Sequence, residues 1–225
     1  MLGQVMKLYK TAIGITLAGL LFPSMAAAAP DLQTQQASKT AADLSGIIKP
    51  YQTVGNFKDE ATRIYMFVSF ECPYCASTWA GFAQWGRTLP EPYQLVFVPL
   101  FGTKTQNAAA TAFYIVRDMA PNRINEYMRL AYGETTNRRV TPDTYVGILR
   151  RMGFSQAQIN ASLNSKNTQN RIARAIDLSR RYRVSVTPSF GVVGKYTTHA
   201  GFTNGDYSLL TQLLNGLVSD AMEKI

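Results

Sequence analysis

Histidine and cysteine are nearly missing from this chain, with one His and two Cys in 225 residues. A structural zinc site needs four ligands, and two thiolates with the lone His199 cannot supply them from one chain. A copper-binding module using Cys72 and Cys75 would commonly add a histidine, so that reading rests on His199 alone. Acidic residues are also scarce, 14 against 23 Lys and Arg, for a formal charge of +9. The basic residues gather at Arg171, Arg174, Arg180, Arg181 and Arg183, which read as the solvated face of a helix. Without interleaved aromatic platforms they do not make a nucleic-acid surface. No low-complexity tract or self-similar period is present, which excludes a solenoid or a largely disordered chain. The apolar run at residues 11–22 is about 12 residues long, short of the roughly 20 that span a bilayer.

What is present starts with an export signal. Lys7 and Lys10 precede that apolar run, and Pro23, Ser24 and a small-residue stretch at 26–29 follow it. Ala26 and Ala28 fit a cleavage site after Ala28, so residues 1–28 read as a signal peptide; a retained anchoring helix is the competing reading. No cysteine follows the site for a lipid anchor. Loss of the two lysines would leave a mature chain of about +7. Residues 29–60 are polar, with Gln33, Gln35 and Gln36 ahead of a weakly amphipathic piece that Pro50 stops. They read as a linker or short arm, open to pairing with another chain.

The remainder has one compact unit's worth of core. A strand at 64–70, a helix from Cys72 to about Trp85 and a strand at 93–100 form a βαβ unit with parallel strands, within residues 61–103. In that helix Cys75, Trp79 and Phe82 share one inward face, leaving Cys72 at the exposed tip. Residues 104–181 are nearly all helical in pattern. A segment at 108–119 ends at Pro121, and another at 124–132 closes at Gly133. Thr141-Pro142 and Ser155 start two more, and the last runs through Ile176. Within residues 182–225, a strand at 184–193, a Gly194-Lys195 turn and a partner at 196–198 read as a hairpin. Pro188 inside that strand needs an edge or a bulge. An amphipathic helix over 206–224 places Leu209, Leu210, Leu213, Leu214, Leu217, Val218 and Met222 against the sheet.

Both cysteines fall in Phe70-Glu71-Cys72-Pro73-Tyr74-Cys75, where a strand hands over to a helix. Exposed N–H groups and the dipole at a helix N-terminus favour thiolate over thiol, so this is a reactive position. A structural bridge is the bland alternative, and it would close so short a loop that it would remove little chain entropy. In an oxidising compartment the pair reads as redox-active.

This cysteine motif, the βαβ unit, the helical block and the segment Val186-Thr187-Pro188-Ser189-Phe190-Gly191 resemble the DsbA-like thiol:disulfide oxidoreductases of the bacterial periplasm. The likeness runs from about Ile64 to the C-terminus. It implies an α/β thioredoxin fold with an inserted all-helical subdomain and no cofactor. It further implies that Cys72 is the attacking thiol and Cys75 its buried partner, with Pro73 and Tyr74 completing the motif. Pro188 would be a cis-proline facing the pair beside Thr187, leaving a backbone edge for substrate. The implied partners are exported proteins with free thiols or disulfides and a membrane redox partner resembling DsbB. Three departures stand out: Tyr74 where the family's strong oxidant has His, Met66 where it has a buried Glu, and Glu71 just before the nucleophile. A carboxylate beside a thiolate opposes it, so Glu71 is expected to tune the Cys72 pKa upward and make the pair less oxidising. Pro73-Tyr74 and Thr187 also resemble the periplasmic isomerases and reductases of the DsbG and ScsC kind. Disulfide formation is the first expectation and an isomerase or reductase kept as the dithiol is the alternative. A metal-binding module is the third.

Overall fold

A computed structural model describes residues 49–135 and 140–223. The expected signal peptide, residues 1–28, lies outside the described residues, as does the arm up to residue 48. Five strands, β1 (Gln52–Thr53), β2 (Arg63–Val68), β3 (Gln94–Pro99), β4 (Ser189–Val192) and β5 (Tyr196–His199), make one sheet in the order β1-β5-β4-β2-β3. Helix α1 (Pro73–Gly86) joins β2 to β3, which are parallel; the other pairings are antiparallel. Between β3 and β4 come α2 (Lys104–Met119), α3 (Ile124–Thr135), α4 (Pro142–Arg151), α5 (Gln156–Leu163) and α6 (Lys166–Arg181), and α7 (Tyr207–Met222) closes the chain. This is the α/β thioredoxin fold with an all-helical insert.

The apolar run Ile64-Tyr65-Met66-Phe67-Val68 becomes the buried centre of the sheet because both its faces are covered. Alternation divides it. Tyr65 and Phe67 turn to Tyr182, which ends α6, at ring distances of 5.5 and 5.6 Å. On α1, Phe82 packs against Phe190 of β4 at 4.6 Å. Gly191 sits where a Cβ would come within 2.5 Å of the Tyr182 ring, so only glycine lets that ring lie on β4.

The insert is joined to the sheet half at Phe70, two residues before Cys72. Its ring lies 5.1 Å from Tyr132, 5.4 Å from Tyr127 and 6.3 Å from Phe113. Thr135 Oγ1 donates to its carbonyl at 2.6 Å. The insert's helices are set by local chemistry. Thr103 and Ser155 cap α2 and α5 with reciprocal Gln106 and Gln158 bonds, and Ser165 caps α6.

Several expectations differ from what is observed. The segment expected as an arm or linker contributes residues 49–60 to the fold: β1 pairs with β5, and Thr198 Oγ1 donates to the Pro50 carbonyl at 2.7 Å. Its polarity concealed this, because an edge strand needs backbone bonds more than apolar side chains. Helix α2 starts at Lys104 rather than 108, where its cap lies, and α3 runs through Gly133 to Thr135 because that glycine costs only about 1 kcal/mol in a helix. The strand expected over 184–193 is ordered only as Ser189–Val192. Pro188 has no N–H for a ladder, and Ser189 Oγ donates to the Val186 carbonyl at 2.6 Å, holding the preceding residues as a loop. On α7, Leu210, Leu214, Leu217 and Val218 are buried, whereas Leu209 and Met222 are exposed.

The basic run is not simply a solvated face. Glu60, 1% exposed, accepts from Arg174 Nη2 at 2.7 Å, Arg181 Nη1 at 3.0 Å and the Tyr182 hydroxyl at 2.7 Å. Arg181 also pairs with Asp177 at 2.9 Å. A carboxylate this buried is tolerable only with such a set of donors. Nothing in the local sequence distinguished Glu60 from a surface residue, since its partners lie more than a hundred positions later.

Candidate active site

Cys72 is the N-cap of α1, with extended backbone (φ −92°, ψ 117°), and Pro73 takes the first helical position, where no N–H is required. The N–H groups of Tyr74 and Cys75, next in the turn, are therefore free to face the Cys72 sulfur. The described form is the dithiol: Cys72 is half-buried and Cys75 is fully buried. From the far side of the chain, the Thr187 carbonyl oxygen lies 3.2 Å from Cys72 Sγ. The Thr187-Pro188 bond is cis. Cysteine pair and Thr187-Pro188 are thus brought together across 115 positions.

These contacts set the acidity of the two thiols in opposite directions. A hydrogen bond from the Cys75 thiol holds Cys72 down to about 5, with help from Thr187 and the Cys75 and Tyr74 backbone, against the cost of burial. Cys75 is pushed far up by giving that bond and by burial. One sulfur is poised as a thiolate and leaving group, the other as its proton-bearing neighbour. The Cys72 value lies above the roughly 3.5 of the strong oxidant with a His between its cysteines. Glu71 is not among the main influences on Cys72. Its carboxylate accepts from Thr103 Oγ1 at 3.3 Å, at the N-terminus of α2, while its N–H donates to Ser69 Oγ at 3.2 Å. Met66 is fully buried in β2, opposite Phe97 and Phe190.

Two tyrosines at the site were not singled out by sequence. Tyr132 of α3 stacks on Trp79 at 6.2 Å and its hydroxyl interacts with Cys75; burial first, then both cysteines, push its phenol well up. Tyr207 opens α7, and burial, then Cys72, Cys75 and Tyr74, push it up as well. Only the packing of α3 and α7 against α1 brings them here. Between α1 and α7 runs a groove of about 360 Å³, lined by Phe82, Trp85, Tyr207 and Thr211 among others. Trp85 Nε1 donates across to Asn215 Oδ1 at 2.8 Å, fixing the two helices. Tyr74, 64% exposed, and Val186, 46% exposed, add an apolar rim next to Cys72 and Thr187. His199 is occupied elsewhere, with Nδ1 accepting from the Gly201 N–H at 3.0 Å and its ring on Phe202. Among the described residues no three His, Cys, Asp or Glu side chains gather into a metal site.

An accessible thiolate at a helix N-terminus, a buried partner thiol and a cis-proline loop define a redox protein of the thioredoxin fold. Comparison with known proteins narrows the class. No family model matches the chain. The thiol:disulfide interchange protein DsbA of Bordetella parapertussis is 22% identical over 157 residues, 69% of this chain and 75% of that one; the Bordetella pertussis protein is 21% identical over the same length. A single-residue variant of Pseudomonas aeruginosa DsbA superposes with a TM-score of 0.67 at 19% identity, covering 78% of this chain and 97% of that one. DsbA of Xylella fastidiosa superposes at 0.65 and 15% identity, covering 79% and 98%. The chain is thus similar to DsbA thiol:disulfide interchange proteins over 157 residues and shares the fold of the DsbA structures. No helix among the described residues is long and apolar enough to cross a membrane.

Proposed function

We propose that the protein works in the periplasm, delivered by the signal at residues 1–28, and forms disulfides in exported proteins through Cys72 and Cys75. The observation that carries this reading is the asymmetry of the pair: Cys72 half-buried and held down to about 5, Cys75 buried and held up. Stabilising the thiolate stabilises the reduced form, which makes the disulfide form the better electron acceptor.

In the forward reaction a substrate thiolate attacks Cys72 Sγ of the disulfide form. The new bond joins substrate sulfur to Cys72, the Cys72–Cys75 bond breaks, and Cys75 leaves with the electron pair and takes up a proton. A second substrate thiolate then attacks the substrate sulfur of this mixed disulfide. Cys72 departs as a thiolate, the substrate holds a disulfide, and its two electrons now reside on the Cys72/Cys75 dithiol. A membrane-bound disulfide donor resembling DsbB reoxidises the pair. Tyr74, Val186 and the groove between α1 and α7 offer the apolar surface for a partly folded client, and Thr187 beside Pro188 offers backbone to it.

Trapping thiols in intact cells with a mass-tagged alkylating agent tests the direction. The pair is expected to be mostly disulfide at steady state. A pair found mostly as dithiol would overturn the oxidase reading in favour of an isomerase or reductase using the same residues.

A further inference from the structure

A second cavity, of about 400 Å³, lies between β2 and β3 on one side and α2 and α6 on the other. It shares no lining residue with the cysteine pair, the Thr187 loop or the groove between α1 and α7. Four guanidinium groups surround it, from Arg63, Arg117, Arg171 and Arg174, and two rings, Tyr65 and Tyr114, form its walls. Val96 and Leu178 are among the apolar residues of its floor, and none of its lining residues is a carboxylate.

Three of these arginines have partners. Arg174 holds Glu60 at 2.7 Å, Arg63 donates to the Gln94 side-chain oxygen, and Arg171 approaches Asp118 only to 3.7 Å. Arg117 is half-buried, and among the described residues no carboxylate pairs with it. Burial disfavours its charge, Tyr114 and more weakly Tyr65 favour it, and Arg171 and Arg63 add like-charge repulsion. A guanidinium fork that is partly desolvated, crowded by like charges and open to a cavity is short of one component, an anion with two oxygens to accept its bonds. An inorganic anion would meet the arginines and leave the rings and apolar floor uncovered. A neutral apolar molecule would cover the floor and leave Arg117 unpaired.

We propose that this cavity binds an amphiphilic organic anion, whose single carboxylate, sulfonate or phosphate head takes Arg117 with Arg63 and Arg171, and whose apolar or aromatic body lies between Tyr65 and Tyr114. Its volume falls within the range of about 300–1,000 Å³ usual for small-molecule sites. Because two walls belong to the sheet and two to the insert, an occupant braces the two parts against each other. It needs neither cysteine, so its test is independent of the exchange reaction.

The test is calorimetric titration of the full chain in its disulfide form with naphthalene-2-sulfonate, against naphthalen-2-ol as the body without the charge and sodium sulfate as the charge without the body. Saturable binding of the sulfonate is expected, at least about tenfold tighter than either control. It should also raise the midpoint of thermal unfolding, since the ligand binds only the folded state. Arg117→Gln should weaken the sulfonate at least about tenfold while the alkylation rate of Cys72 in the reduced protein stays unchanged. Should that variant not fold, Arg171→Gln reads the same rim from α6. Amide shifts in two-dimensional NMR should centre on Tyr114, Arg117 and Arg171. The proposal is overturned by sulfate binding as tightly as the sulfonate, which means an adventitious ion only. Equal affinity for naphthalen-2-ol, unchanged affinity in the folded arginine variant, or shifts confined to Phe82 and Tyr207 would overturn it as well.

Discussion

At one end of β2 the chain holds the Cys72 thiolate, and at the other it holds the Glu60 carboxylate. The two are kept by different means. Glu60 is all but inaccessible and is met by two guanidinium groups and a phenol. Cys72 is half-buried and is met by a thiol, the Thr187 side chain and two helix N–H groups, with no full countercharge. A permanent buried charge needs cations, because desolvating it costs several kcal/mol. A charge that appears and vanishes in the proposed exchange reaction is better held by dipoles, which stabilise the thiolate without stranding an unpaired cation when a disulfide replaces it. The contrast teaches that one end of the strand is built for stability and the other for exchange.

The largest effect that would test this contrast is on the exchange end. Cys72→Ser is expected to abolish disulfide transfer to a reduced unfolded client, to below about one thousandth of the wild-type rate. Retained transfer would put the chemistry elsewhere. At the other end, Glu60→Ala leaves Arg174, Arg181 and Tyr182 without their shared acceptor and should cost about 3–5 kcal/mol in urea unfolding. The pH profile of Cys72 alkylation should not move in that variant, and a moved profile would show that the two ends are coupled. A smaller effect is expected for Thr187→Val, which removes one donor from the thiolate. It should raise the midpoint of thiolate absorbance near 240 nm by about one pH unit from about 5. A separate test concerns stability against pH. The folded Cys72 value is depressed from 9.0 to about 5, so its contribution to the dithiol form is complete above about 9 and is lost as pH falls toward 5. The midpoint of urea unfolding of the dithiol form relative to the disulfide form should therefore fall between pH 8 and pH 5. A flat difference over that range would mean that the thiolate is not stabilised by the fold.

Legibility in the sequence followed the range of the interactions. The cysteine motif, the capping residue Ser155 and the apolar run of β2 act through neighbours a few positions away, and each is where a local reading puts it. Thr187-Pro188 was legible because proline in a strand-like run demands an explanation. Glu60 was not legible, nor were the stack of Tyr132 on Trp79, the approach of Tyr207 or the pairing of the polar Gln52–Thr53 as a strand. Each depends on a partner from a distant element. The arginines illustrate the same limit: a basic run on α6 reads as a solvated face, yet Arg174 reaches a buried carboxylate and Arg171 rims a cavity.

The sequence by itself determined that the two cysteines would sit at a strand-to-helix junction. Apolar periodicity and capping decide where a strand ends and a helix begins, and the helix N-terminus supplies donors wherever it is placed. The tertiary structure alone decided how acidic the first cysteine became and what surrounds it. A hydrogen bond from Cys75, the arrival of the Thr187 side chain and the orientation of Glu71 toward Thr103 rather than among the main influences on the thiol are matters of distance in space. Electrostatic and hydrogen-bond energies change over an ångström or two, and chain order does not specify separations that fine.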